Sequence, residues 1–440
     1  MAKSPTKKSS SSTTKLLQSG NQVELTLTNQ TTFSGTVVQC KNNVAELKLK
    51  NGYNAGIRLD HILSVKVIGT GQKVSKAVTA RAVPVDPHKP TIVVLHTGGT
   101  IASRVDYKTG GVASSFEAND LLSMYPQLFT HFNVVTEHIS NMWSDDMRFA
   151  QYTRMAKVIE KYMKQGVKGI IMGHGTDTLA YTAAALSFMI QNSPIPILVV
   201  GSQRSSDRPS SDARMNLVSA ANFIHQTNFG GVAICMHENE HDDTCIILPA
   251  NKSRKNHTSK RSAFEAVNTK PIARVHYPSG SIDIITPFTK PTSPCVIKTK
   301  LENKVGLIKI HTHMHPEQFK PYESFKGLVI EGTGLGHAPT AVSDELNREN
   351  EKIKKAIEKI IQKGCTVVMT SQCINGRVNM NVYDKGVELQ RMGIIPGNDL
   401  LPETAFVKLA FVLANYPKSQ VKEKMQENIA GEITNRSELD

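Results

Sequence analysis

The 440-residue sequence has no apolar run approaching the ~18 residues that a helix needs to span a membrane, so no membrane segment is expected. It has six cysteines, at positions 40, 235, 245, 295, 365 and 373, and none stands in a C-x-x-C pair. In a chain this long that pattern reads as reduced thiols of a cytoplasmic protein and argues against a disulfide framework. The opening stretch MAKSPTKKSSSSTTK has no apolar centre and is not a secretory signal. Its composition cannot build a core, so residues 1–18 are expected to form a disordered basic arm, with a basic transit peptide as the other reading. No full G-x-x-x-x-G-K-[ST] or G-x-G-x-x-G loop, no kinase motif and no repeat of solenoid spacing occurs. Acid is in short supply: 38 Asp and Glu stand against 52 Lys and Arg, for a formal charge of +14. Such a balance suits a nucleic acid or an acidic protein, and equally a generally basic proteome, and it says nothing of fold. The length suits two to three domains with sizeable cores.

From Asn21 to about Ile68 apolar residues alternate with polar ones, as in Val23, Leu25 and Leu27 or Ala45, Leu47 and Leu49. With the turn signal Asn51-Gly52 this predicts a small antiparallel β-barrel over 19–70. Residues 71–90 have no period and read as a linker. Strands and helices then alternate. Ile92–Leu95, Ile170–Met172 and Ile197–Val200 read as strands, and 147–165, 178–191 and 213–226 as helices. This order predicts an α/β domain over 91–300, with a doubly wound, mostly parallel sheet and ligands at the carboxyl ends of its strands. A second α/β unit over 301–416 has strands at Val305–Ile310, Gly327–Ile330 and Thr366–Thr370 and helices at 341–363 and 402–415. Residues 417–440 read as a tail.

Three pieces could do chemistry together: Thr97-Gly98-Gly99-Thr100, Gly173-His174-Gly175-Thr176-Asp177-Thr178, and Lys255. Both threonine motifs follow predicted strands, and adjacent parallel strands would bring them to one crevice. Glycines there let a backbone approach a substrate and present its N–H groups. A threonine hydroxyl is a poor nucleophile until a base or a cation activates it, and Lys255 held by Asp177 could supply the cation. Each piece also has a plainer reading. Asp177 and Thr178 are natural helix N-caps, Thr97–Thr100 could be a phosphate loop, and the basic run SRKNHTSKR around Lys255 could be a solvated or RNA-facing patch.

Two histidine clusters invite a metal. His237-Glu238-Asn239-Glu240-His241 matches H-E-x-x-H, but that motif works on a helix, and Val232–Met236 and Cys245–Leu248 read as strands around a turn at Asp242-Asp243. His311, His313 and His315 follow a strand and could share a face, without a carboxylate or cysteine to join them. No metal site is expected.

Together these residues resemble the L-asparaginase superfamily. The resemblance rests on LHTGGTIAS (95–103), GHGTDTLAYTAAALSF (173–188) and the K-x-H-T-S-x-R-x-A-F spacing of Lys255–Phe264. It continues through GSQR (201–204), RMNL (214–217), EGTGLGHAP (331–339), TSQCINGRV (370–378) and the stretch around 393–415. The chain is more similar still to the D-subunit family of archaeal glutamyl-tRNA(Gln) amidotransferases. KNGYNAGI (50–57) lies in a barrel that plain asparaginases lack, and the tail NIAGEITNRSELD (428–440) is similar too.

The resemblance implies an asparaginase-like two-domain core behind the barrel and a glutaminase or asparaginase reaction. It implies Thr100 as nucleophile, Thr176, Asp177 and Lys255 as the second catalytic group, and Tyr107 as an assisting loop tyrosine. Ser144 and Asp145 would hold the substrate's α-carboxylate and α-amine. It also implies no cofactor in this chain, with ATP and Mg2+ used by a partner, the amidotransferase E subunit, which receives the ammonia and amidates Glu-tRNA(Gln). A homodimer within a heterotetramer is the implied assembly. The alternatives are a free-standing L-asparaginase and a basic RNA-binding or scaffold protein with an idle core. The chain departs from the superfamily pattern at Pro249–Ser253, at Ser262 where an aspartate is usual, and in the histidine-rich HTHMH turn (311–315).

Overall fold

A computed structural model of the chain describes residues 15–41, 43–49, 54–69, 85–99, 101, 103–105, 112–114, 125–205 and 210–436. The amino-terminal alternation becomes five antiparallel strands: β1 (Gln22–Leu27), β2 (Thr32–Lys41), β3 (Val44–Leu49), β4 (Asn54–Arg58) and β5 (Ile62–Gly69). Their order is β4-β3-β2-β1-β5, which leaves β4 and β5 at the two ends of the sheet. Val23, Leu25, Val37, Ala45, Leu47 and Ile57 close a small core with Leu17. The alternate residues face away from it, as period two requires. The Asn51-Gly52 turn and most of the expected linker lie outside the described residues.

The larger sheet has eight strands: β6 (Thr91–His96), β7 (Asn133–His138), β8 (Gly169–Gly173), β9 (Pro196–Val200), β10 (Gly231–His237), β11 (Thr244–Pro249), β14 (Ala273–His276) and β15 (Ile282–Ile284). Strands β12 (Ser253–Lys255) and β13 (Phe264–Ala266) form a separate hairpin between them. The sheet order is β15-β14-β11-β10-β9-β8-β6-β7, parallel from β10 through β7. Beyond β10 the direction reverses at each strand. Residues 238–243 between β10 and β11 are too few for a parallel crossover, which takes a dozen or more, so the chain turns back on itself.

The wholly apolar strands follow from burial on both faces. In β6, Val93 and Leu95 enter one core while Ile92 and Val94 enter the other, and β8 divides in the same way between Ile170 with Met172 and Ile171. Helices α1 (Phe149–Lys164) and α2 (Leu179–Met189) cover the first face, and α3 (Ala213–Gln226) the second.

The carboxyl-terminal unit is a four-stranded parallel sheet of β16 (Val305–Lys309), β17 (Gly327–Gly332), β18 (Thr366–Ser371) and β19 (Ile395–Pro396), in that order. It carries α4 (Glu349–Gln362), α5 (Asp384–Arg391) and α6 (Pro402–Asn415). The helix expected over 341–363 begins only at Glu349. Ahead of it Asp344 caps a short turn by accepting from Leu346 N at 2.9 Å, a local bond that competes with helix. Helix α6 sits so close to β17 that a Cβ on Gly327 would meet Leu409 Cδ2 and Leu413 Cδ1 at 2.8 Å. The first core runs on into this unit through Val329, Val368, Leu409 and Phe411. The segment read as a tail holds α7 (Val421–Gln426), and Val421, Met425 and Ile433 are buried in the same core. Among the described residues no helix is long and apolar enough to cross a membrane.

Candidate active site

The chain ends β6 and β8 side by side, with His96 in register with Gly173. Thr97 ties the two ends together, its N–H and its hydroxyl each donating to Gly173 O at 3.1 Å. The glycines that follow have no room for side chains. Gly98 has φ +105° and a Cβ there would meet Met142 O at 2.5 Å; Gly99 has φ +81° and its Cβ would meet Gly175 Cα at 2.6 Å. A Cβ on Gly175 would in turn meet Ser144 Oγ at 2.8 Å. Three loops therefore stack backbone on backbone at the carboxyl ends of β6, β7 and β8.

Thr176 opens a short 3-10 turn ahead of α2 and is nearly buried. Lys255 Nζ donates to Thr176 Oγ1 at 2.8 Å and to Asp177 Oδ1 at 2.7 Å. The lysine side chain is 14% exposed and the aspartate 67%, so the ammonium is screened on the threonine side and reached by water on the other. The plain N-cap reading of Asp177 and Thr178 does not hold: neither side chain caps α2, and Thr178 Oγ1 donates instead to Ser144 O at 2.6 Å. Ser144 is buried in this stack and Asp145 beside it is exposed. Thr100 and Tyr107 lie outside the described residues.

Lys255 reaches Thr176 because its hairpin is fastened at both ends. At the tip, Glu240 Oε1 accepts from Ser262 N at 3.0 Å and from Ser262 Oγ at 2.8 Å, and Asp242 accepts from Arg261 at 2.5 Å. The backbone bond from Ser262 holds the Glu240 carboxyl below its usual pKa. This accounts for the departure at Ser262, whose small hydroxyl meets a carboxylate brought by the neighbouring loop. The H-E-x-x-H stretch is thus strand and turn, with its groups facing different partners. His237 ends β10 fully buried, 2.6 Å from Asn216 Oδ1 through Nδ1, and the Glu238 carboxylate accepts from both Nε and Nη2 of Arg274 at 2.5 Å. His311 bonds Thr312 O and Gln318, and His313 packs edge-on against His315. Among the described residues no cluster of three or more His, Cys, Asp or Glu could hold a metal ion.

Sequence reasoning gave no individual role to several supporting residues. Gln203 accepts from Thr176 Oγ1 through Oε1 at 3.4 Å. Its loop is held by Asp212, fully buried, which accepts from Gln203 N and Arg204 N at 3.0 Å. Asp212 sits at the N-cap position of α3, yet its carboxylate caps no helix N–H; it serves this loop and accepts from Asn216 Nδ2 of α3 at 3.3 Å. His174 is fully buried, with Nδ1 2.7 Å from Gly175 O and Nε2 2.8 Å from Thr182 Oγ1. Facing a carbonyl, Nδ1 must carry the proton, so Nε2 accepts from the threonine. Burial lowers the pKa of His174, and likewise of His96, to about 4. An acidic N-cap type before α3 and histidines at two strand ends were the available signals, and both are common in folded chains.

A family profile described as Asparaginase, N-terminal, matches residues 91–288, and Glutaminase/Asparaginase C-terminal domain matches 304–425. The D subunit of the glutamyl-tRNA(Gln) amidotransferase of Methanococcus maripaludis is 40% identical over 428 residues, covering 96% of this chain and 99% of the relative. The chain belongs to this D-subunit family, within the L-asparaginase superfamily. The family's Pyrococcus abyssi member is 40% identical over 399 residues, covering 90% of this chain and 88% of its own. Among solved structures, the thermostable L-asparaginase from Thermococcus kodakarensis superposes with a TM-score of 0.69 at 28% identity. The match covers 79% of this chain and all of that one. L-asparaginase I from Vibrio cholerae gives 0.67 at 26%, covering 79% and 99%.

Proposed function

We infer that this chain is the glutaminase-type amidohydrolase subunit of a tRNA-dependent amidotransferase, releasing ammonia from a side-chain amide for the conversion of Glu-tRNA(Gln) to Gln-tRNA(Gln). The observation that carries the chemistry is Lys255 Nζ bonded at once to Thr176 Oγ1 and Asp177 Oδ1 at the carboxyl ends of parallel strands. Similarity to amidotransferase D subunits over nearly the whole chain carries the destination.

Thr100 is the nucleophile in this reading. Its hydroxyl oxygen bonds to the amide carbon of glutamine or asparagine and the hydroxyl proton passes to the leaving nitrogen. The C–N bond breaks, ammonia departs, and an acyl ester stays on the threonine. Water then cleaves the ester, with Thr176, Lys255 and Asp177 accepting and returning its proton. Backbone N–H groups of the stacked glycine loops face the developing oxyanion. Ser144 and Asp145 hold the α-carboxylate and α-amine, and Tyr107 assists Thr100. The chain needs no cofactor. ATP and Mg2+ act in the partner E subunit, which takes the ammonia, and this chain pairs with its own copy within a heterotetramer.

The test is ammonia release from glutamine, measured with and without the E subunit, ATP and glutamyl-tRNA(Gln). Thr100→Ala, Thr176→Ala and Lys255→Ala should each lower it by about a hundredfold or more. Wild-type rates in any of the three overturn that residue's role. Full activity of the isolated chain, unmoved by the partner and charged tRNA, would favour a free-standing L-asparaginase.

A further inference from the structure

The carboxyl-terminal segment 427–435 passes behind the lysine hairpin, and its polar groups are spent on buried partners. Lys252, three residues before Lys255, is 2% exposed and its ammonium pairs with the Asp399 carboxylate, also buried. The same carboxylate accepts from Thr434 N at 3.2 Å and from the Thr434 hydroxyl. One residue earlier, Asn251 Nδ2 donates to Ala430 O at 2.6 Å, and Asn251 O accepts from Thr404 Oγ1 of α6 at 2.7 Å. Glu432 holds the segment's own turn, accepting from Ile429 N at 3.0 Å and Ala430 N at 2.7 Å, and it pairs with Lys408 of α6 at 2.6 Å with both side chains fully buried. Arg377 closes the far end on Thr434 O at 2.7 Å.

Two buried ion pairs are a costly way to gain stability, because each charge loses its hydration and apolar residues of similar volume often serve as well. What they add is direction: a charge-assisted bond holds its partner in one place where apolar packing tolerates several. Here the fixed object is Lys252, and β12 is the three-residue strand that leads from it to Lys255. The residue that follows the opposite strand returns the restraint, with Val267 N bonded to Lys252 O at 2.8 Å.

We propose that the Asp399–Thr434 bond and the Lys252–Asp399 pair are positioning elements that set where Lys255 presents its ammonium to Thr176, so that the carboxyl-terminal segment takes part in catalysis without touching substrate. The inference rests on Lys255 acting at Thr176, as proposed above. A displaced lysine leaves substrate binding intact and slows the chemical step, since small misplacements of a reacting group cost rate steeply.

The experiment measures glutamine hydrolysis and thermal unfolding of the full chain with its amidotransferase partner. Thr434→Val removes the hydroxyl and keeps the shape, and should lower kcat about tenfold with KM within about twofold. Thr434→Ser restores the donor and should recover most of the rate. The double variant Lys252→Met/Asp399→Leu replaces both charges with apolar groups and leaves the Thr434 N–H and hydroxyl without their acceptor, so it should unfold at a modestly lower midpoint, stay folded at the assay temperature and lose kcat about tenfold or more. Wild-type kcat in the double variant, or a Thr434→Ser rate no better than Thr434→Val, overturns the proposal. If the double variant fails to fold, the Thr434 pair alone decides. Lys255→Ala separates the two readings: if it retains full activity the catalytic role of Lys255 fails, and if it is inactive while the Lys252 and Thr434 variants are normal only the positioning role fails.

Discussion

A lysine ammonium has three N–H donors and no acceptor, which lets Lys255 serve Thr176 and Asp177 together. Because Asp177 is largely in water, losing its partner should cost little: Lys255→Met is expected to lower stability by under about 1 kcal/mol in denaturant titrations while ammonia release collapses. A large stability loss would mean that the lysine is chiefly structural. His96 and His174 behave differently. The unfolded chain takes a proton on each imidazole near pH 6.5, whereas the folded one waits until about pH 4. The unfolded state therefore binds more protons between those values. Stability is full above pH 6.5 and falls as pH drops through that window, by up to roughly 3 kcal/mol per imidazole. Unfolding followed against pH should show this slope, and His174→Gln should flatten part of it.

At the scale of elements, the site is a stack of three strand-end loops pinned against one hairpin. The loops approach through glycine backbone, so a single methyl group is enough to part them. Gly99→Ala combines a contact of 2.6 Å with a left-handed φ, and is expected to cost about 2–4 kcal/mol by chemical denaturation and to abolish activity. An alanine variant of native stability would show that the loops are free to separate. The carboxylates of the H-E-x-x-H stretch belong here too. Their work is to hold Arg274 and the tip of the hairpin, a role that only the turn after β10 makes available.

Across the whole molecule one core runs without a break from the eight-stranded sheet through α2 and α6 to the four-stranded one, and the carboxyl-terminal segment seals it. The five amino-terminal strands have a core of their own. Removal of residues 1–84 should therefore leave the unfolding of the two α/β units as a single cooperative calorimetric transition at nearly its original midpoint. Two separated transitions would mean that the units are independent. The continuous core also places the segment 417–436 inside the catalytic body, although its charged sequence reads as a tail.

Thr176 and Asp177 were legible at a strand end because a short apolar run followed by Gly-His-Gly-Thr is a local pattern, and the resemblance joined Lys255 to them. Two nearby lysines show where local pattern stops. Lys255 sits in the basic run SRKNHTSKR that looks uniformly solvated and Lys252 immediately precedes it, yet Lys252 is buried on Asp399 and Lys255 borders the site on Thr176. The helix over 341–363 began late for a like reason, since Asp344 and Asn347 bond their own backbone ahead of it. By itself the sequence determined most strands and helices of the two α/β units and the glycine loops, because these follow from periods of 2 and 3.6 residues and from steric limits within a few residues. Only the tertiary structure decided which charges are withdrawn from water and what meets them, because the partners lie 79 residues apart for Lys255 and Thr176 and 147 apart for Lys252 and Asp399, and desolvation is settled when those distant segments pack.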